Sequence, residues 1–298
     1  MSILVLGATG LIGNRLVRTL GENHEVFGTT RNKNFIDSKL NFFSKECNWL
    51  IDVGPEDFTA LEEKIKRIKP NIIVNCLGIT KLKSGSTNIQ TSILVNALFP
   101  HKLSVACRKL NIRLIHLSTD CVFSGSKGKY VESDIPDPID IYGKTKNIGE
   151  LINESDLTIR TSFVGREVFT FTNLFEWAIR NRSSSIRAYS KAIYSGLTTL
   201  ALSEIIKLII VEQPTLSGLW HVSSEPISKY ELLSNLNKEL SLDIDIELDE
   251  SLICDRSLNS KRFREKTKIK VPNWDEMLKE FAKDQIWYEK FNDFELMS

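Results

Sequence analysis

Three side chains are of the types, and at the spacing, needed to transfer a proton to a carbonyl oxygen. Thr119 ends the segment HLST (116–119), and YGKTK (142–146) supplies Tyr142 and Lys146. Tyrosine can donate a proton, but its ordinary pKa of about 10 is high for exchange near neutral pH. A lysine four residues along a helix lies on the same face, where its charge lowers that pKa. With a threonine hydroxyl to stabilise the developing alkoxide, we predict that Thr119, Tyr142 and Lys146 are catalytic.

A glycine-rich turn near the start of the chain could hold the diphosphate of a dinucleotide. Gly7, Gly10 and Gly13 directly follow the apolar segment ILVL (3–6) and open a helical pattern. Glycine allows the tight turn and lets backbone amides approach the diphosphate, while the helix N-terminus adds partial positive charge. The spacing G-x-x-G-x-x-G differs from the commoner fingerprint, and a simple strand-to-helix turn is the alternative. Because the turn lies in an alternating strand and helix pattern, we favour a nicotinamide cofactor.

The end of the second predicted strand indicates which nicotinamide cofactor is bound. An acidic residue there would bind the ribose 2′-hydroxyl of NADH, whereas a basic residue would accept the 2′-phosphate of NADPH. The segment GTTRNK (28–33) has no acid and contains Thr30, Arg31 and Lys33. We therefore expect NADPH, and NADH stays possible. A solvated loop is the simpler alternative for these residues.

The candidate catalytic and cofactor-binding residues lie at the ends of short apolar segments, and these segments are typical of buried parallel strands. Amphipathic helical patterns separate these segments, and this alternation predicts a doubly wound α/β sheet, the Rossmann fold. The predicted strands are 2–8, 25–30, 48–53, 71–78, 113–119 and 157–162.

After about residue 165 the alternation of strand and helix patterns becomes less regular, which predicts a second, smaller α/β lobe. We assign 1–165 to the dinucleotide-binding domain, with 193–215 returning to it. The smaller lobe, expected to bind substrate, then comprises 166–192 and 216–298.

Composition excludes several classes of protein. Lys plus Arg (39) and Asp plus Glu (38) nearly cancel, so we expect neither a nucleic acid nor a membrane surface as partner. Five cysteines without a C-x-x-C pair are typical of reduced thiols and predict no zinc site. The N-terminus lacks the pattern of a signal peptide, and no apolar run is long enough to span a bilayer. A cytoplasmic protein is expected.

Taken together, the motifs resemble the extended short-chain dehydrogenase/reductase family, in particular its dTDP-4-dehydrorhamnose reductase branch. The matching segments extend from residue 3 to about 240, and the block from His116 to Glu150 is the most specific. The resemblance implies reduction of the 4-keto group of a dTDP- or UDP-linked deoxysugar for surface polysaccharide. A homodimer is a conceivable assembly. The segments that carry the match are GATGLIG, NIIVNCLG, LVNALFP, HLSTDCVFSGSKGKYVESDIPDPIDIYGKTKNIGE, TIRTSFVG and GLWHVSSEPISKYELL.

The same resemblance implies further site residues. Asp120 and Phe163 would face the sugar beside Thr119, and Asn96 would support the site from its helix. The residues assigned to the cofactor are Gly7, Thr9, Gly10, Leu11, Ile12, Gly13, Thr30, Arg31, Asp52, Val53, Cys76, Leu77, Gly78, Asn96, Tyr142 and Lys146.

Departures from the family pattern leave the sugar and the nucleotide open. Cys121 replaces an aromatic residue, and Phe163 replaces a tryptophan. An epimerase or dehydratase of the same superfamily is one alternative, although dehydratases typically have T-D-E where this chain has T-D-C (119–121). The other alternative is a non-catalytic regulatory subunit that keeps the dinucleotide fold. The complete set of Thr119, Tyr142 and Lys146 disfavours it.

Overall fold

The computed structural model describes residues 1–31, 47–80, 89–168 and 171–297, with side chains up to residue 289. Lys33, named above beside Arg31, lies outside the described residues. The strands of the described parts are β1 (Ser2–Leu6), β2 (Glu25–Thr30), β3 (Asn48–Ile51), β4 (Ile72–Asn75), β5 (Arg113–Thr119), β6 (Leu157–Thr161), β7 (Phe163–Val164), β8 (Ser185–Tyr189), β9 (Ala192–Tyr194), β10 (Leu197–Thr198), β11 (Gly218–His221), β12 (Ile227–Ser228), β13 (Asp245–Asp249) and β14 (Cys254–Asp255).

Helices connect most of these strands. They are α1 (Gly13–Gly21), α2 (Phe58–Ile68), α3 (Ile89–Ser92), α4 (Phe99–Leu110), α5 (Ile141–Ile148), α6 (Leu174–Arg180), α7 (Thr199–Glu212), α8 (Lys229–Leu240), α9 (Lys261–Thr267) and α10 (Trp274–Met297). A π-helical segment, Ile93–Leu98, joins α3 to α4, and a 3₁₀ turn, Asp120–Val122, follows β5.

Seven parallel strands form the central sheet, in the order β11–β6–β5–β4–β1–β2–β3. Successive residues of a strand point to opposite faces. In β1, Ile3 and Val5 therefore pack with α1 and α7, whereas Leu4 and Leu6 pack with α2 and α4. Both faces are thus covered by helices, which explains the continuous apolar character of β1. The predicted doubly wound fold is confirmed.

Parallel pairing brings the carboxyl ends of β1, β4 and β5 to one edge of the sheet. The glycine turn follows β1, Cys76 follows β4, and Thr119 ends β5. The fold therefore gathers the predicted cofactor and catalytic residues at the edge where doubly wound proteins bind ligands.

The remaining strands form small sheets outside the central one. β12, β9 and β14 make one sheet, while β13 pairs with β8 and β10 with β7. Strand β11, however, pairs with β6 in the central sheet, although the sequence division placed 216–298 in the smaller lobe. Four residues, GLWH, are too few to give a periodic signal, so the sequence boundary fell before this strand.

Helix α10 also lies against the dinucleotide-binding part, although the same division placed it in the smaller lobe. Asp284 accepts hydrogen bonds from Arg15 at 2.6 Å and from Arg18 at 3.1 Å, both on α1. Helix α7 packs on α1 as well, through a hydrogen bond of 3.0 Å between the hydroxyls of Thr19 and Ser203. Among the described residues, no helix has the length and apolar character needed to cross a membrane.

Candidate active site

The glycine turn after β1 has a geometry that requires glycine. Gly7 has a φ of +77°, a conformation that side chains with Cβ rarely adopt. The amide of Gly10 donates to the carbonyl of Gly7 at 2.9 Å. A Cβ on Gly13 would overlap that same carbonyl, so α1 can approach the turn this closely only with glycine.

The N-terminus of α1 could bind an anion. Within the part of the chain that the structure describes, no side chain caps the first N–H groups of this helix, and its first turn contains no acidic residue. Free N–H groups and the helix dipole together favour a phosphate at such a helix start. Thr9, Leu11 and Ile12 lie in the turn between β1 and α1, and Gly10 is exposed there. These features fit the diphosphate of a dinucleotide.

Arg31 immediately follows β2, at the place predicted for the selection of NADPH. Its guanidinium is 69% exposed and lies 3.2 Å from the carboxylate of Glu56. Thr30 pairs with Ile51 across the sheet, which brings the segment after β3 alongside. In that segment Asp52 has a φ of +56°, and Val53 is buried.

The segment after β4 lies directly beside the glycine turn. A Cβ on Gly7 would lie 3.0 Å from a methyl carbon of Leu77, and Gly78 follows. The amide of Cys76 donates to the carbonyl of Leu6 at 3.1 Å. Burial raises the pKa of the Cys76 thiol to about 12. This thiol is therefore protonated at neutral pH and does not act as a nucleophile.

Asn96 ties the segment after β4 to the helix that carries Tyr142. It lies in the π-helical segment and is fully buried. Its side chain accepts from the amide of Ile79 at 2.8 Å and donates to the Ile79 carbonyl at 3.0 Å. It also donates to the hydroxyl of Thr145 on α5 at 3.1 Å. Asn96 thus positions the two elements that flank the site.

Thr119 and Tyr142 are in contact at the carboxyl edge of the sheet. The Thr119 hydroxyl lies near the Tyr142 phenol and acts to lower the pKa of Tyr142. Burial has the larger effect and, together with nearby Cys121, raises that pKa above its ordinary value. Tyr142 is therefore protonated at neutral pH, the state required of a proton donor.

Lys146 lies one turn beyond Tyr142 on α5, but its ammonium points to the backbone. Nζ donates to the carbonyl of Leu117 in β5 at 2.6 Å. Burial lowers the pKa of Lys146 to about 8, opposed by Glu150 and Cys76. The sequence predicted that Lys146 would lower the pKa of Tyr142. In the structure the pKa of Tyr142 is raised instead, because burial of the phenol outweighs its stabilising contacts.

Asp120 and Phe163 are the residues predicted to face the sugar beside Thr119. The carboxylate of Asp120 is buried and accepts a hydrogen bond from the Thr119 hydroxyl at 3.1 Å. Burial raises the pKa of Asp120, and the cations Arg256 and Lys229 oppose this change. Phe163 follows the end of β6, partly buried, and pairs with Leu197.

Sequence reasoning did not identify Lys229, Tyr194 or Arg256 as site residues. Arg256 donates from Nε to the carbonyl of Phe123 at 2.9 Å. These residues belong to three separate segments whose meeting depends on the small sheet β12–β9–β14. A lysine at the start of a helical pattern is common, so the sequence contained no usable signal for it.

Comparison with known proteins identifies the family of the chain. The chain is 33% identical over 176 residues to a dTDP-4-keto-6-deoxy-D-glucose reductase from Streptomyces niveus, a match that covers 56% of this chain and 54% of that protein. It is 29% identical over 236 residues to a dTDP-4-dehydrorhamnose reductase from Aggregatibacter actinomycetemcomitans, covering 75% of this chain and 74% of that protein. The chain thus spans only about half of the first relative's length.

A solved structure shares the fold over nearly the whole chain. The dTDP-4-dehydrorhamnose reductase from Bacillus anthracis, determined in complex with NADP, superposes with a TM-score of 0.77 at 22% identity. The superposition covers 95% of this chain and 99% of that one. The family model described as RmlD substrate binding domain matches residues 1–286. The chain therefore belongs to the RmlD substrate-binding domain family.

Proposed function

We propose that this protein is an NADPH-dependent reductase of the 4-keto group of a nucleotide-linked deoxysugar, acting in surface polysaccharide biosynthesis. The observation that carries the proposal is the placement of Thr119 and Tyr142 next to each other, with Lys146 one helical turn away, at the same sheet edge as the glycine turn. Family membership and the names of the reductase relatives support it.

The residues of the glycine turn and of the segments after β2, β3 and β4 would hold the cofactor. NADPH, when bound, supplies the hydride that reduces the carbonyl carbon. Arg31 is the candidate contact for the 2′-phosphate, because it is exposed directly after β2 and its ion-pair partner among the described residues is a surface carboxylate. The positively charged Lys146 is the candidate contact for the nicotinamide ribose.

Tyr142 provides the proton in this reaction. Its raised pKa keeps the phenol protonated near neutral pH, so the proton is available for the developing alkoxide. The Thr119 hydroxyl can donate to the same oxygen. Asp120 accepts from that hydroxyl at 3.1 Å, and the backbone amide of Cys121 donates to it at 3.2 Å. Both bonds hold Thr119 in place before the carbonyl binds. The single hydroxyl proton of Thr119 then turns from Asp120 to the carbonyl oxygen, while the bond from the Cys121 amide stays.

The sugar is proposed as a 4-keto-6-deoxyhexose on dTDP, with UDP as the other base to be tested. The names of the reductase relatives specify dTDP. A free ketose should react poorly, because binding energy from the nucleotide is needed to orient the carbonyl. A cytoplasmic location and a homodimeric assembly remain part of this proposal.

The test is a turnover assay with purified protein. NADPH oxidation is followed with dTDP-4-dehydrorhamnose, its UDP counterpart and a free ketose, and the sugar product is identified by mass. Consumption of one NADPH per reduced nucleotide sugar is expected. A product formed without net NADPH oxidation would instead identify an epimerase or dehydratase. NADPH binding without reduction of any keto-sugar nucleotide in a broad panel would favour the regulatory subunit.

A further inference from the structure

Lys229 places an ammonium group within electrostatic range of Asp120, the residue after Thr119, and the mechanism above does not use it. Lys229 is the first residue of α8, directly after Ser228, whose side chain caps the helix. Strand β12 pairs with β9 so that Ile227 lies opposite Tyr194. This register brings the ammonium over the aromatic ring of Tyr194, 3.6 Å from its centroid.

The Lys229 ammonium has no hydrogen-bond acceptor among the described residues. Its contacts there are the Tyr194 ring and the electrostatic influence of Asp120, Cys121 and Cys254. An ammonium has three donors, and leaving them unpaired away from water is costly. Lys229 nevertheless remains partly exposed, so a ligand can reach it.

Tyr194 contributes a second unpaired group to the same place. Its side chain is buried, with 4% exposure, and its hydroxyl has no partner among the described residues. Burial and, to a smaller extent, the carboxylate of Asp120 raise the pKa of this hydroxyl, so Tyr194 lies within electrostatic range of Asp120. Buried polar groups are normally hydrogen-bonded, and an unpaired one indicates a missing partner.

We infer that Lys229, Tyr194 and Asp120 form a subsite for a hydroxyl group of the sugar next to the reacting carbonyl. This inference rests on the proposed function. A hydroxyl can accept from Lys229 and donate to Asp120 at once. Asp120 directly follows Thr119, which places the subsite beside the group that contacts the carbonyl.

Charge argues against the diphosphate of the substrate as the occupant. A phosphate oxygen accepts from Lys229 but has no proton for Asp120, whose carboxylate would repel it. A hydroxyl satisfies the acidic and the basic partner together. Lys229 is therefore a specificity-determining residue for the sugar and does not hold the nucleotide.

The test compares the binding of dTDP with that of dTDP-rhamnose by calorimetry. Lys229→Met should weaken dTDP-rhamnose at least about tenfold, the loss expected for a hydrogen bond to a charged group. Its affinities for dTDP and NADPH should be unchanged. Tyr194→Phe keeps the ring and removes only the hydroxyl, so it should cause a smaller loss for the same ligand. Lys238→Met, an exposed lysine on the same helix, is the matched control and should bind like the unmodified protein.

Each other outcome has a definite meaning. Equal weakening of dTDP and dTDP-rhamnose would make Lys229 a phosphate contact and overturn the inference. Unchanged binding of both ligands in a folded Lys229→Met protein would overturn it too, since the cation would then be structural. If the unmodified protein bound neither nucleotide, the proposed function itself would fail.

Discussion

The hydroxyl of Tyr288 donates a hydrogen bond of 2.8 Å to the side-chain oxygen of Asn14. Asn14 in turn donates to the carbonyls of Gly10 at 2.8 Å and Leu11 at 3.0 Å, within the glycine turn. Tyr288 lies in α10, near the other end of the chain. The C-terminal helix thus fixes the side chain that shapes the candidate diphosphate site.

Tyr288→Phe should therefore destabilise the protein and weaken NADPH binding. The variant leaves the buried Asn14 oxygen without its donor, which costs about 1 to 3 kcal/mol. We expect a lower free energy of unfolding in urea and a severalfold higher dissociation constant for NADPH. Tyr189→Phe, at a tyrosine that is 40% exposed, is the control and should change neither quantity. An unaltered unfolding curve for Tyr288→Phe would contradict the role of this bond.

Tyr142→Phe should remove the proton donor while leaving the fold and the cofactor site intact. Loss of a general acid typically lowers turnover by a factor on the order of 10² to 10⁴. NADPH affinity, measured by fluorescence titration, should stay close to that of the unmodified protein. Turnover that is unaffected by this change would sink the assignment of Tyr142.

Six of the seven strands of the central sheet, β1 to β6, could be predicted from the sequence, because local periodicity encodes buried strands. The predicted strand 113–119 agrees with β5 residue for residue. The glycine turn was predictable for a similar reason, since its spacing follows from one strand-to-helix connection.

Contacts between distant segments could not be predicted. Tyr288 and Asn14 are 274 residues apart, and nothing local in the tail indicates which helix it covers. Lys229 comes within electrostatic range of Asp120 only because β12 pairs with β9 in one register. The direction of the pKa change at Tyr142 also depended on burial, which the sequence spacing of Tyr142 and Lys146 does not reveal.

NADPH binding should weaken as the pH rises through about 8, because burial lowers the pKa of Lys146 to that value. Below this pH the ammonium carries its charge and favours the anionic cofactor. Above it, the charged fraction of Lys146 falls about tenfold per pH unit. Binding is measured by fluorescence without sugar, so that Lys229 does not contribute.

Two variants isolate the contribution of Lys146 to this profile. Lys146→Met should bind NADPH weakly and without the transition near pH 8, and its turnover should also fall. Lys144→Met, at an exposed position on the same helix, should reproduce the profile of the unmodified protein. A profile that stayed flat to one unit above this pH in the unmodified protein would show that the charge of Lys146 has no part in binding.

Arg31→Ala should discriminate between the two nicotinamide cofactors. If the guanidinium binds the 2′-phosphate, its removal costs about 1.5 to 3 kcal/mol, or about 10- to 150-fold in the dissociation constant of NADPH. NADH lacks that phosphate and should bind nearly as before.

Glu56 lies 3.2 Å from Arg31 and competes for it, so Glu56→Gln should strengthen NADPH binding modestly. Arg67→Ala, an exposed arginine on α2, is the control for a general loss of positive charge. Equal weakening of NADPH and NADH by Arg31→Ala would mean that this arginine acts structurally and does not bind the 2′-phosphate.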